Sequence, residues 1–192
     1  MVVIYYSTTI ITYRMKIIGI DLAGFEKNDT GFCVFENKVV RVKVLKTDQE
    51  IISEVDKETP DLVCIDGPLT LPIQMQRKAD LELKQYGALP PLLGGMRYLT
   101  MRGNRLREEL VGYRVIEVMN RATVKILGFA YPDHSERQKA LLAMDIKGDI
   151  ETRALTKDEV DSITAAITGY LYLEGKTQEI GDEEGIIVVP KV

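Results

Sequence analysis

Two short apolar runs in this chain each end in an aspartate, and this pattern constrains the fold more than any other feature. Residues 16–21 read Lys-Ile-Ile-Gly-Ile-Asp, and residues 61–66 read Asp-Leu-Val-Cys-Ile-Asp. Both runs are rich in the branched apolar residues that favour buried strands. Asp21 and Asp66 therefore stand at the carboxyl ends of two strands, which is where open α/β sheets gather their ligands.

A second pair of acids, Asp158 and Asp161, opens the helix-like run from Thr156 to Ala166. Carboxylates that share one place repel one another unless a cation lies between them, and hard divalent cations such as Mg²⁺ or Mn²⁺ prefer oxygen ligands. The sequence therefore predicts a metal site held by carboxylates. A simpler interpretation also exists for each acid, because acids in a first helical turn favour the helix dipole and Asp66 precedes a turn-forming Gly-Pro pair.

Bulk properties limit the function classes. A chain of 192 residues is the size of one domain, and its net charge of −4 argues against a protein that coats nucleic acid by bulk attraction. Cys33 and Cys64 lie inside apolar strand-like runs, so we expect buried thiols in a reducing, cytoplasmic compartment. One histidine and two separated cysteines do not support a structural zinc site.

Residues 1–14 are apolar and hydroxyl-rich, and Arg14 is the only charged residue among them. This stretch is too short to span a bilayer and lacks the order of a signal peptide, so no membrane partner is expected. We interpret residues 1–14 as an extension, either an artefact of a mis-annotated start upstream of Met15 or a loose extra strand. The domain itself is expected to span residues 15–192.

The order of elements predicts a mixed sheet flanked by helices. Capping-box pairs at Ser135 with Gln138 and at Thr156 with Glu159 predict two helix starts. The remaining predictions are strands at 17–21, 31–36, 39–45, 62–66 and 114–119, helices at 48–58 and 73–86, a loop at 87–95, and a last strand at 185–190 on an edge of the sheet.

Five motifs in this order resemble an uncharacterised domain family predicted to be ribonuclease H-like nucleases. They are Gly19-Ile20-Asp21-Leu22-Ala23-Gly24 with Thr30-Gly31-Phe32, Ile65-Asp66-Gly67-Pro68-Leu69-Thr70-Leu71-Pro72, Arg77-Lys78-Ala79-Asp80, Val115-Ile116-Glu117-Val118, and Asp158-Glu159-Val160-Asp161-Ser162-Ile163-Thr164-Ala165-Ala166. The resemblance extends from residue 16 to about residue 190. It implies a single α/β domain with a ribonuclease H-like mixed sheet.

That family is distantly similar to the Holliday-junction resolvases. The resemblance implies that four acids occupy metal-binding positions, namely Asp21, Asp66, Asp158 and Asp161. Glu117, inside the fifth predicted strand, is a further metal candidate without a counterpart in the resolvase set. The implied activity is metal-dependent hydrolysis of phosphodiester bonds in DNA or RNA.

Such hydrolysis is served by two Mg²⁺ or Mn²⁺ ions about 4 Å apart, which clamp the attacking and leaving oxygens. We assign Asp21 as the bridging ligand because the first strand is normally central in this fold. Asp66 and Asp161 would each hold one ion, and these three acids form the predicted catalytic set. Asp158 lies one turn before Asp161 and would add a ligand.

The predicted contacts to nucleic acid are arginines. Four of them lie between residues 96 and 107 without an intervening acid, namely Arg97, Arg102, Arg105 and Arg107. Guanidinium groups bind phosphate in a bidentate manner, although a plain solvated face is the alternative. Arg77 joins the set through the family motif, with Asp80 as its partner across one helical turn.

Two other functions remain open at this stage. One is a non-catalytic nucleic-acid-binding or scaffolding module that retains the fold. The other is a nucleotide hydrolase or phosphotransferase of the related actin-like fold, which normally needs two such domains, whereas 192 residues supply one. Oligomeric state does not follow from the sequence.

Overall fold

The computed structural model describes residues 15–191, so the predicted extension at 1–14 lies outside the described residues. Within this part of the chain the strands are β1 Lys16–Asp21, β2 Thr30–Glu36, β3 Val39–Leu45, β4 Leu62–Asp66, β5 Val115–Val118, β6 Lys147–Gly148, β7 Thr177–Asp182 and β8 Gly185–Pro190. The α-helices are α1 Asp48–Glu58, α2 Lys78–Glu82, α3 Met96–Glu109, α4 Asn120–Ile126, α5 His134–Ala143, α6 Asp149–Thr152 and α7 Lys157–Leu173, with a 3₁₀ turn at Lys84–Tyr86. No helix of residues 15–191 is long and apolar enough to cross a membrane.

The strands form one sheet in the order β6-β3-β2-β1-β4-β5-β8-β7. The first three strands pair antiparallel as a meander, whereas β1, β4, β5 and β8 run parallel to one another. The predicted mixed sheet flanked by helices is thus confirmed. Because β1, β4 and β5 are parallel, their carboxyl ends meet at one edge of the sheet, and the register places Asp21 directly beside Asp66.

Alternating side chains of the central strands supply two separate cores, one on each face of the sheet. Ile17 and Cys64 are fully buried on the face that α7 covers. Ile18 and Val63 are fully buried on the opposite face, which packs against α1 and α3. This period-two alternation fixes the register, because a slip by one residue would exchange the two faces.

Helix α7 lies unusually close to the sheet at its N-terminus. Its start is the predicted capping box, in which the Thr156 hydroxyl accepts from the Glu159 N–H and the Glu159 carboxylate accepts from the Thr156 N–H. A Cβ at Gly31 would overlap the carbonyl oxygen of Asp158, and a Cβ at Gly19 would overlap the carbonyl oxygen of Ser162. These two glycines therefore allow the first turns of α7 to rest on β1 and β2.

Three sequence predictions need correction. The helix predicted at 73–86 is only Lys78–Glu82 followed by the 3₁₀ turn. The N-cap of α5 is Asp133, which accepts from the Ser135 N–H, so the predicted capping box of Ser135 with Gln138 is wrong. Strand β8 is not an edge strand, because β7 pairs along its outer side.

Both cysteines are free and fully buried, as the sequence predicts. Burial raises the pKa of both the Cys33 and the Cys64 thiol. Deprotonated thiol is the reactive form, so these residues serve as small apolar core side chains.

Candidate active site

The carboxylates of the strand ends share a cleft. Asp21 and Asp66 are opposite one another in the parallel β1–β4 register and line the same cleft. Helix α7 brings two more acids to this place. Asp158 and Asp21 line a neighbouring open cleft. Asp161 lies one turn further along the helix. The four predicted acids of β1, β4 and α7 therefore come together in space.

The pKa values of three of these acids are raised because the carboxylates are buried and close to one another. Burial raises the pKa of Asp21 well above its usual range, and the charges of Asp66 and Asp161 raise it further, against the opposing charge of Lys157. Burial likewise raises the pKa of Asp66 to about 7, and the Asp161 charge adds to this effect. The pKa of Asp158 is also raised, mainly by burial. Such mutual repulsion favours the binding of a cation.

Asp161 is neutralised by two cations in the present structure. Its carboxylate forms an ion pair with Arg137 of α5 and a second one, at 2.9 Å, with Lys157 one helical turn earlier. Asp161 is only 5% exposed, so these partners offset the loss of solvation of its charge. A metal ion at Asp161 would have to displace or share these ion pairs.

Asn120 connects two of the acids. Its backbone N–H donates to Asp66 Oδ1 over 3.1 Å, and its side-chain Nδ2 donates to the Asp161 carbonyl over 2.9 Å. The remaining side-chain atom, Asn120 Oδ1, is buried and has no hydrogen-bond partner. An unsatisfied buried oxygen on a residue that is hydrogen-bonded to both Asp66 and the Asp161 backbone is a feature that a bound cation would explain.

The donor set fits a hard divalent ion in its chemistry, because it offers carboxylate oxygens and one orphan amide oxygen. The geometry is less complete than the sequence predicts. Among residues 15–191, no group of three or more His, Cys, Asp or Glu side chains is arranged to hold a metal ion as it stands. The Asp161 carboxylate, which would complete the set with Asp21 and Asp66, is engaged in two ion pairs.

Glu117 and Arg77 are not placed as predicted. Both are buried, and Arg77 donates to Glu117 from two nitrogens, over 2.8 and 2.6 Å. Glu117 Oε2 also accepts from the Leu69 N–H, so its carboxylate holds the loop after β4 instead of being free for a metal. Arg77 is 0% exposed and also pairs with Asp80, as expected, which leaves no guanidinium surface for a phosphate. The predicted roles of Glu117 as a metal ligand and of Arg77 as a nucleic-acid contact are therefore wrong, and both residues have structural roles.

The arginine cluster is a helix, α3, and its two faces differ. Arg102 is 3% exposed and donates to Asp48, to the Ala23 carbonyl and to the Lys46 carbonyl, so it is a structural tie and not a nucleic-acid contact. Arg105 is exposed but paired with Asp48. Only two members of the predicted set, Arg97 and Arg107, are exposed with no ion pair to another residue in the range 15–191.

Sequence reasoning missed three polar residues of the site. Asn120 comes two residues after β5, at the same sheet edge, and the strand-end signal that identified Asp66 also applies to it. Lys157 directly precedes the family motif that starts at Asp158, and its spacing to Asp161 is that of a helical i,i+4 pair. Arg137 carries no sequence signal, because only the packing of α5 against α7 brings it to Asp161.

No known protein-family model matches this chain, and no curated protein sequence matches it. Two solved structures of RuvC from Thermus thermophilus are similar to it. The structure of RuvC alone aligns with a TM-score of 0.52 and 14% identity over 84% of this chain and 97% of that one. RuvC in complex with Holliday junction substrate aligns with a TM-score of 0.48 and 13% identity over 84% and 96% of the respective chains.

This chain has the ribonuclease H-like fold. At such low identity the similarity establishes the fold alone, so the chemistry must be argued from the residues of the site. In this fold the carboxyl ends of β1 and β4 and the start of α7 form a shared edge, and Asp21, Asp66, Asp158 and Asp161 lie there.

Proposed function

We propose that this protein is a divalent-metal-dependent nuclease that hydrolyses phosphodiester bonds of DNA or RNA. One observation carries the proposal: acids from β1, β4 and α7 lie together at one sheet edge, where burial and neighbouring acidic charges raise the pKa of Asp21 and Asp66. Arg137 and Lys157 neutralise only part of this negative charge, and crowded carboxylates destabilise a fold, so their presence together favours a function that supplies a further cation. The ribonuclease H-like fold is consistent with this chemistry.

Asp21, Asp66 and Asp161 would hold the ion, with Asp158 and Asn120 Oδ1 as further oxygen donors. We retain two Mg²⁺ or Mn²⁺ ions as the proposed cofactor. When bound, such ions neutralise the charge that develops on the scissile phosphate and favour deprotonation of a nearby water.

The chain's own residues would contribute orientation and charge. Asn120 fixes one oxygen of Asp66 through its N–H and the start of α7 through its side chain, so it holds two ligand-bearing elements at a constant separation. Lys157 has a side chain that is 62% exposed and lies beside the acids, where its ammonium group can attract a phosphate. The ion pair with Arg137 holds the Asp161 carboxylate in one orientation before a metal arrives.

Cleavage assays with Mg²⁺ or Mn²⁺ test the proposal on single-stranded, duplex and branched DNA and on RNA. We expect the wild type to cleave at least one of these substrates, and chelation by EDTA to stop it. Asp21→Asn is expected to lose Mn²⁺ binding, measured by calorimetric titration, and to lose cleavage by several orders of magnitude while remaining folded.

Glu183→Gln is the matched control, because Glu183 is an exposed acid in the β7–β8 turn. It is expected to behave as the wild type in both measurements. Wild-type protein that binds nucleic acid but cleaves nothing with any divalent ion would refute the nuclease and favour the non-catalytic binding module. Unchanged Mn²⁺ affinity in Asp21→Asn would refute the assignment of the site.

A further inference from the structure

Two aromatic rings meet at the surface beside the carboxylate site. Phe25, in the loop after β1, and Tyr98, in the first turn of α3, have ring centroids 4.7 Å apart and planes tilted by 37°. Phe25 is 44% exposed and Tyr98 is 43% exposed, so the pair offers accessible ring surface in addition to its mutual contact. Contiguous exposed apolar surface of this kind is a feature of interaction sites.

A cationic side chain lies over each ring. Lys27 Nζ lies 5.6 Å from the centroid of the Phe25 ring, and the guanidinium carbon of Arg97 lies 5.5 Å from the centroid of the Tyr98 ring. Within residues 15–191, neither cation forms an ion pair with an acid. The nearby acids Glu26 and Asp29 are paired with Arg105 and Lys46 instead. The rings and their cations, namely Phe25, Tyr98, Lys27 and Arg97, are termed the aromatic platform below.

The platform is adjacent to the acids in the fold. Phe25 comes four residues after Asp21, so the two Cα atoms are at most about 14 Å apart along even a fully extended chain. Lys27 lines the same open cleft as Asp21 and Asp158. Met96 and Leu99, which flank Arg97 and Tyr98 on α3, line the cleft that holds Asp21 and Asp66. The platform therefore lies where both clefts approach the surface.

The platform is also held rigidly. Arg102 of α3 donates over 2.7 Å to the Ala23 carbonyl, in the loop that carries Phe25, and Gly24 lies against the backbone of Leu99. A preformed surface binds with little loss of conformational entropy. The buried role of Arg102, which removes it from direct contact with nucleic acid, thus serves to fix the loop to the helix.

We propose that the aromatic platform stacks an unpaired nucleobase of a single-stranded segment, while Lys27 and Arg97 contact the phosphates that flank this base. The inference rests on the proposed function, because it assigns the substrate of the same site as nucleic acid with unpaired bases. Aromatic rings stack on every base and cations follow the backbone, and this combination is typical of sequence-tolerant binding to single strands. Duplex DNA keeps its bases stacked inside the helix and offers the rings no partner.

A tryptophan reporter tests the proposal directly, because the chain has no tryptophan of its own. In Tyr98→Trp the only indole would lie in the platform, and base stacking is expected to quench its fluorescence. The titrant is a mixed-sequence single-stranded oligodeoxynucleotide in EDTA, where no cleavage occurs. Val111→Trp is the matched control, since Val111 is 88% exposed just beyond the opposite end of α3, about 20 Å along the helix axis.

We expect strong quenching in Tyr98→Trp, little in Val111→Trp, and clearly less quenching when an abasic strand of equal length and charge replaces the oligonucleotide. Equal quenching by the abasic strand, or none by either strand, would overturn the proposal.

Phe25→Ala is expected to weaken single-strand binding about tenfold, the effect of losing one base stack. Phe25→Leu preserves an apolar contact with α3 but lacks the ring, so it is expected to bind as weakly while unfolding like the wild type.

Normal binding by a folded Phe25→Leu would show that the pair only fastens the loop to the helix, which overturns the proposal. If the wild type self-associates and Phe25→Leu abolishes this association, the surface binds a second copy of the chain. That result would also overturn the proposal. The parallel cleavage assay separates the two proposals. A wild type that cleaves without quenching in Tyr98→Trp refutes the platform alone, whereas quenching without cleavage supports the platform and refutes the nuclease.

Discussion

At the scale of single residues, the site is built from charges that disfavour the folded state without a cation. Burial and neighbouring acids raise the pKa of Asp66 to about 7, so the carboxylate is partly protonated near neutral pH. The Asn120 N–H opposes this shift without cancelling it. The position of Asp66 at the end of an apolar run made it predictable from the sequence, whereas its shifted pKa depends on neighbours that only the fold brings close.

The raised pKa of Asp66 predicts a pH-dependent stability. The folded protein holds this proton between about pH 4 and pH 7 while the unfolded chain releases it, so the free energy of unfolding falls as pH rises through this window. One pKa unit corresponds to about 1.4 kcal/mol, which limits the effect to about 4 kcal/mol. Asp66→Asn should therefore be more stable than the wild type at pH 8 without metal, measured by urea unfolding.

The same variant should gain less stability from Mg²⁺ than the wild type, because a ligand of the ion is missing. Asp21 retains its own raised pKa, so the pH dependence of Asp66→Asn should be reduced but not abolished. A variant that loses stability at pH 8 would show that Asp66 is not destabilising in the metal-free protein.

Glu117 provides a contrasting prediction. Its carboxylate is buried against Arg77 and the Leu69 N–H, so Glu117→Gln would leave the Arg77 guanidinium with Asp80 as its one remaining acid partner among residues 15–191. Breaking a buried ion pair from one side is strongly unfavourable, and we expect a loss of about 3 kcal/mol in the free energy of unfolding. Mn²⁺ affinity of the folded variant should be unchanged in calorimetric titration; a large decrease would restore Glu117 to the metal site.

At the scale of elements, the strands and helices with a clear periodic pattern of apolar residues were the ones that the sequence predicted correctly. Strands β3 and β4 and helix α1 have the predicted bounds, because each is a run of clear periodicity between turn residues. Helix α3 was not predicted as a helix, since its many charges and its glycine resemble a loop, and its inward face is formed partly by Arg102. Strand β7 was missed because it is polar and is stabilised by pairing with β8.

The contact between α7 and the sheet yields a prediction for Gly31. A Cβ at this position would overlap the Asp158 carbonyl oxygen, and backbone on both sides prevents a local adjustment. Gly31→Ala should therefore move the start of α7 away from β2, lower stability by about 2 kcal/mol as an overpacked core does, and weaken Mn²⁺ binding. Gly112→Ala is the control, because nothing lies within 4 Å of a Cβ there.

Unfolding experiments and Mn²⁺ titrations on both variants provide the measurement. Gly112→Ala should match the wild type in each. A stable Gly31→Ala with full Mn²⁺ affinity would mean that the position of Asp158 and Asp161 does not depend on this close approach.

At the scale of the whole molecule, the protein must bind a polyanion while carrying a net charge of −4. Most of its arginines near the site are already engaged internally, as Arg77, Arg102 and Arg137 show. Attraction to nucleic acid is therefore local, and it depends on the few exposed cations at the site edge together with any bound metal. This conclusion refines the sequence prediction, which counted the arginines of α3 without knowing which ones face inward.

Local attraction predicts a shallow salt dependence of binding. Each phosphate contact on a single strand contributes about −0.7 to the slope of log K against log salt, so contacts from Lys27 and Arg97 predict a slope of about −1.4. Arg107 is not counted, because it lines a separate cleft with Glu179, Asp182 and Glu183. Fluorescence anisotropy of a labelled single strand between 50 and 200 mM salt, in EDTA, measures it. Lys27→Ala and Arg97→Ala should each reduce the magnitude by about 0.7, whereas Arg41→Ala, on β3 and paired with Glu58, should leave it unchanged. A slope steeper than about −6 would mean that the chain wraps nucleic acid over a much larger surface, and both the local attraction and the arginine assignment would then be wrong.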